Sequence, residues 1–237
     1  MASIIDSFRE TFEDNLSFVK IAVFAIPLYY CYTMSLTANG KYGGVWTLGL
    51  ITAFFLIGYF AEITSGVLNE GDCVLPSLNF LKMAISSLKL LISIGPLTLI
   101  AISIANFALS FTTQIPLPWL ITTIQVIVWL IVISISLSQF LLFVRKESII
   151  SAYNLKAVSD KCGDIIVGLI FFVIQLLLIN IPTCAFLGYT IGVLFGIGPV
   201  LYAFLSYAVI FNIAATGHYF AQLGYEIMGY DKRDTSF

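Results

Sequence analysis

Two long uncharged stretches constrain this chain more than any other feature. No Asp, Glu, Lys or Arg occurs from Leu90 to Val144, and none from Ile165 to Tyr225. Between them, Arg145 to Asp164 carries four basic and three acidic residues. A soluble domain is about a quarter charged; here 10% of residues are charged and 59% are hydrophobic. Mean hydropathy is +1.01. A spanning helix needs about 20 apolar residues, so the chain reads as an all-α integral membrane protein with about six transmembrane helices.

The spans fall at about 18–37, 45–66, 90–110, 119–143, 165–182 and 199–223. Turn signals separate them. Asn39-Gly40-Lys41-Tyr42-Gly43-Gly44 predicts a tight turn, because glycine and asparagine tolerate positive φ, and Gln114-Ile115-Pro116-Leu117-Pro118 predicts a rigid one. Gly95-Pro96 predicts a kink within the third span. Residues 183–198 fit a six-span count poorly. Pro182 and Gly198-Pro199 bracket them, which favours a re-entrant or interfacial helix over a long tilted fifth span. Gly188, Gly192 and Gly196 recur every four residues there, a close-packing pattern for membrane helices.

Three amphipathic segments, at about 3–17, 76–89 and 147–160, each precede a hairpin of spans. In the first, Ile4, Ile5, Phe8, Phe12 and Leu16 fall on one face and Asp6, Arg9, Glu10, Glu13 and Asp14 on the other. Ser3 with Asp6, or Ser7 with Glu10, predicts a capping box. Such a helix suits the membrane interface, although its acidic face points to protein contact as an anchor as much as to lipid. In the second, Pro76 is expected to open the helix.

Basic residues set the expected orientation. Six spans place Arg9, Lys20, Lys82, Lys89, Arg145, Lys146, Lys156, Lys161, Lys232 and Arg233 on one side and only Lys41 on the other. Positive loops stay inside. Both termini are therefore expected in the cytoplasm, with Trp46 and Trp119 in the outer aromatic belt. The amphipathic segments recur about every 70 residues, as an internal repeat would. The returning spans end alike too: Tyr59-Phe60-Ala61-Glu62-Ile63, Ser138-Gln139-Phe140-Leu141 and Tyr219-Phe220-Ala221-Gln222-Leu223.

Several pieces carry a family resemblance. They are Gly58-Tyr59 before a polar exit, Pro76 opening a connector, Tyr153 to Val158 before an apolar run, and Ile197-Gly198-Pro199 leading to Gly217–Gly224. Together they resemble the prokaryotic multi-pass family catalogued as domain of unknown function four-thousand-and-thirteen. That resemblance implies a multi-pass fold in the inner membrane of a prokaryotic cell and brings no activity or site residues with it.

Reactive groups are few. No GxSxG, HExxH, Walker-type loop or paired-acid motif is present, and the four cysteines show no metal-ligand spacing. No catalytic residue, metal site or cofactor is expected, and a net charge of −2 gives nucleic acid no basic patch to bind. Intramembrane ionisable groups are functional candidates by default. The candidate polar cluster is Glu62, Gln139 and Gln222, at equivalent ends of three spans, with His218 beside Gln222. Asn106, Gln125, Gln175, Asn180 and Asn212 are expected to hydrogen-bond between helices. Asp164 reads as a helix-start carboxylate favoured by the dipole.

Two functions follow. The first is a non-catalytic membrane protein acting through lipid, a membrane-protein partner or a second copy of itself. The second is a small transporter or channel with a polar site near Glu62.

Overall fold

The computed structural model describes residues 2–37, 43–71, 75–114, 117–196 and 198–228. The expected turn residues Asn39 to Tyr42, together with Ile115, Pro116, Ile197, Lys232 and Arg233, lie outside the described residues. Among the described residues every regular element is helical: α1 (Ile4–Glu13), α2 (Ser17–Thr37), α3 (Gly43–Ser65), α4 (Phe80–Ser110), α5 (Pro118–Lys146), α6 (Ile149–Ala152), α7 (Leu155–Gln175), α8 (Ile181–Phe195) and α9 (Pro199–Met228). Among the described residues six helical runs are long and apolar enough to cross a membrane: Ser17–Ser35, Gly43–Asn69, Phe80–Ser110, Pro118–Lys146, Leu155–Phe195 and Pro199–Met228.

Local chemistry explains most boundaries. Ser3 caps α1 in extended conformation (φ −126°, ψ 125°), its side chain accepting from the Asp6 N–H. Pro118 opens α5, where its missing N–H costs nothing. Gly196, at φ 77°, closes α8 in a conformation that side chains rarely adopt.

Three expectations change. Pro76 does not open a helix: residues 75–79 are irregular, and α4 begins at Phe80 with the Asn79 side chain accepting from the Lys82 N–H at 3.1 Å. The second amphipathic segment and the third span are then one helix, Phe80–Ser110, which continues through Pro96 although proline supplies no N–H to the ladder there. The third amphipathic segment is likewise only the short α6 plus the start of α7. Residues 183–198 form no separate re-entrant piece. A π-turn at Leu176–Asn180 joins α7 to α8, so helix runs from Leu155 to Phe195. Pro182 sits in the first turn of α8, where proline is tolerated and does not break the chain.

The chain divides into two compact units. The first comprises Met1–Ser87 and Phe172–Gln222. Its core joins Ile21, Phe24 and Ala25 of α2, Tyr59 and Ile63 of α3, Met83 of α4, and Ile210 and Ala214 of α9, with Leu75. Here α3 meets α4 at Gly58, where a Cβ would overlap the Met83 carbonyl and lie 2.6 Å from Ser87 Oγ. Ser87 in turn donates to the Phe54 carbonyl. Close approach between backbones is how membrane helices gain contact when lipid offers no hydrophobic driving force.

The second unit comprises Leu88–Phe171 and Leu223–Phe237. Thr98 and Ser136 hydroxyls bond across α4 and α5 at 2.9 Å. The end of α9 is held there by two cations: Arg145 donates to the Met228 carbonyl at 2.8 Å and Lys161 to the Ile227 carbonyl at 2.9 Å. Both carbonyls lie in the last described turn of α9, and cations suit the negative end of a helix dipole.

Candidate functional site

The inner face of α1 is polar. Ser7 and Thr11 are wholly buried, with Ile4 and Asp14 on the same stripe, while Ile5, Phe12 and Leu16 are more than half exposed. The sequence pattern leaves open which face meets protein. In a bilayer the apolar face is satisfied by lipid, and small hydroxyl residues pack best against a neighbouring helix. Ser7 and Thr11 each return their hydroxyl to a carbonyl one turn back, at 2.9 and 2.8 Å, so their burial leaves no hydroxyl unpaired. Phe12 and Phe8 also pack on Phe211 of α9, with ring centroids 4.6 and 5.2 Å apart.

Two carboxylates on that face, Glu10 and Asp14, are four residues apart and each meets a basic side chain. Asp14 pairs with Lys20 of α2 at 2.6 Å and accepts from the Leu16 N–H at 3.0 Å. Burial alone would raise the Asp14 pKa, but the Lys20 hydrogen bond, the Leu16 N–H and the Lys20 charge hold it below the usual carboxylate range. Lys20 also donates to the Leu75 carbonyl. Glu10 faces α9: its Oε2 lies 3.3 Å from Nδ1 of His218, which is fully buried. Among the described residues neither ring nitrogen of His218 makes a hydrogen bond, so its approach to Glu10 is a close contact of an imidazole and a carboxylate and not a hydrogen bond.

Gln222 completes this cluster. Its amide donates to both oxygens of Glu10, at 3.0 and 3.1 Å, and its Oε1 accepts from the Ser3 N–H at 3.1 Å. Gln175 Oε1 accepts from the Ile4 N–H at 2.9 Å. Two glutamines from other helices thus satisfy N–H groups that the first turn of any helix leaves open.

Glu62 and Gln139 stand in comparable roles elsewhere. Glu62 of α3 takes the Lys82 ammonium and the Ser86 hydroxyl, both on α4. Gln139 of α5, fully buried in the second unit, donates to the Ala152 carbonyl of α6 at 3.3 Å. A pattern connects the three. Each returning span uses this one polar position to hold the amphipathic segment of the next third of the chain, and Gln222 of the last third returns to the first segment. Burial alternates identically along Gly58–Thr64 and His218–Gly224, with Tyr59, Ala61 and Ile63 matched by Tyr219, Ala221 and Leu223. In that alignment His218 occupies the position that Gly58 holds in α3.

Other candidates separate in the same way. Asn180, the last residue of the π-turn before α8, bonds Asn212 of α9 through their side chains, and Cys184 donates to the Asn180 side-chain Oδ1 at 3.3 Å. Asn106, Gln125 and Asp164 are exposed. Gly188 and Gly192 face α9, but a Cβ there would meet Phe204 and Leu201 at 3.8 and 3.9 Å, ordinary contact distances. The tight crossings lie instead at Gly58, Gly168 and Gly217.

Sequence reasoning placed Glu10 and Asp14 on the polar face of α1 without seeing that this face turns inward. The signal was present in Ser7 and Thr11, which share the stripe with Asp14. Among the described residues no group of three His, Cys, Asp or Glu side chains could hold a metal ion. A 430 Å³ groove between α2 and α9 is lined by Leu28, Cys31, Tyr32, Tyr202, Leu205 and Val209, with Ser206 at its side. Compared with known proteins, the chain matches no family model, no curated protein and no solved structure. With six apolar helices of spanning length, it is a multi-pass membrane protein.

Proposed function

We propose that this protein is non-catalytic and acts in the inner membrane of a prokaryotic cell through contacts with lipid or with a membrane-protein partner, a second copy of itself included. The kinship with domain of unknown function four-thousand-and-thirteen and the threefold internal repeat belong to the same proposal. The observation that carries the functional reading is the use made of Glu62, Gln139 and Gln222. Each is engaged in holding an amphipathic segment, so the polar groups most suited to an ion path serve helix attachment. The groove between α2 and α9 is apolar and lies within the spans, where its surroundings are acyl chains or another helix.

The test is Glu62→Gln in reconstituted vesicles, with proton and cation flux measured beside the lipid and protein that co-purify. Contact function expects no flux above empty vesicles in either form and the same co-purifying material. Flux in the wild type that the substitution abolishes would establish the transport reading instead. Orientation is tested separately, by cysteines placed at Gly44 and Lys82 after the native cysteines are replaced. An impermeant thiol reagent should label position 44 from outside and position 82 only in opened cells.

A further inference from the structure

We infer that α6 is a strap on α4: the Tyr153 hydroxyl supplies the donor that Pro96 withholds from the α4 ladder, and its seating sets whether α4 is braced at Gly95-Pro96. Inside an α-helix each carbonyl accepts from the N–H four residues on. For Ile92 that residue is Pro96, which has no N–H and whose ring crowds the same carbonyl. Tyr153, which ends α6, donates its hydroxyl to the Ile92 carbonyl at 2.5 Å. Both residues belong to the second unit, 61 positions apart in sequence.

The place of this bond gives it its effect. A carbonyl freed by proline in a spanning helix is costly unless a neighbouring group donates to it. Prolines are also where helices bend. Gly95 adds freedom, because a Cβ there would meet nothing within 4 Å and the backbone has room to move. Just beyond the break, the Thr98 hydroxyl is tied to Ser136 of α5 at 2.9 Å. The break is thus flanked by a fixed point on α5 and by the Tyr153 hydroxyl.

The strap depends on what holds it. α6 has four residues, too few to persist on its own ladder. Two bonds keep it on α5: Gln139 donates to the Ala152 carbonyl at 3.3 Å, and the Ser151 hydroxyl donates to the Leu142 carbonyl at 2.9 Å. Tyr153 then reaches from α6 to α4. The outer surface of the strap is open, with Ile150 82% and Leu155 63% exposed. A contact made on that surface therefore reaches α4 through one hydroxyl. With Tyr153 withdrawn, the Ile92 carbonyl is left open and α4 loses its brace at Pro96.

The experiment is hydrogen exchange of the full chain in lipid nanodiscs, read at Gly95 and at Leu97 to Ile100. Tyr153→Phe keeps the ring and removes only the hydroxyl. Exchange at those amides should rise on the order of tenfold, the scale of one lost hydrogen bond, while α9 is unchanged. Pro96→Ala restores an N–H to the ladder, so in that background Tyr153→Phe should leave the same amides unchanged. Gln139→Leu, which loosens α6 from α5, should raise exchange at the break in the Pro96 protein as Tyr153→Phe does. Tyr153→Phe identical to the wild type at these amides would overturn the inference without any other variant. An equal rise with and without Pro96 would also overturn it, by making Tyr153 a packing contact alone. Gln139→Leu with α6 exchanging faster and the break unchanged would remove the strap.

Discussion

Gln222 donates to both carboxylate oxygens of Glu10, at 3.0 and 3.1 Å, across 212 positions of sequence. The same side chain accepts from the Ser3 N–H at 3.1 Å, so one residue of α9 secures both the start and the middle of α1. Gln222→Ala should remove these bonds and cost about 2 kcal/mol, the scale of a hydrogen bond to a charged group. Gln222→Glu should cost at least as much, because it sets a second carboxylate against Glu10. Unfolding in mixed micelles measures both, and equal stability of wild type and Gln222→Ala would remove the clasp from the account.

Asp14 gives a dependence on acid. Burial works to raise its pKa, and the pair with Lys20 outweighs that and lowers it. A depressed carboxyl contributes stability that is complete above its unfolded pKa, near 3.9, and that is lost as pH falls through the lower folded value. Attachment of α1 beside α2 should therefore weaken in acid below about pH 4, on top of any other acid effect. Asp14→Asn should abolish that component, and a wild type and variant with parallel acid profiles would refute it.

The close crossing at Gly58 should be the least tolerant glycine position in the first unit. A Cβ there overlaps a backbone carbonyl, that of Met83, which cannot swing aside as a side chain could. Gly58→Ala is expected to cost about 3 kcal/mol as overpacking. Gly188→Ala and Gly192→Ala should cost less than about 0.5 kcal/mol, since the new methyl would meet side chains at ordinary contact distance. Denaturation of the three variants in one detergent decides the order.

In the second unit the end of α9 depends on Arg145 and Lys161, which bond the Met228 and Ile227 carbonyls. Arg145→Ala and Lys161→Ala should each cost about 1 kcal/mol and fray the last turn. Arg9→Ala is the control: its partner is Glu13, both side chains are exposed, and the change should fall within about 0.5 kcal/mol. Hydrogen exchange of residues 223–228 measures the fraying.

Much of the architecture was legible in the residues themselves. The charge-free runs from Leu90 to Val144 and from Ile165 to Tyr225 determine that helices cross a membrane, since only hydrogen-bonded helices or closed barrels survive in hydrocarbon. The recurrence of Glu62, Gln139 and Gln222 at the ends of returning spans was visible too. What those residues hold was decided only by tertiary structure. Sequence periodicity shows that α1 has two faces, but it assigns the apolar one inward only where water drives the burial. In α1, Ile5, Phe12 and Leu16 stay more than half exposed, and Ser7, Thr11, Glu10 and Asp14 turn to the protein. The continuity of helix through Pro182 is of the same kind. A proline marks where a helix can end, and a π-turn with a proline in the first turn of the following helix lets the backbone continue through it.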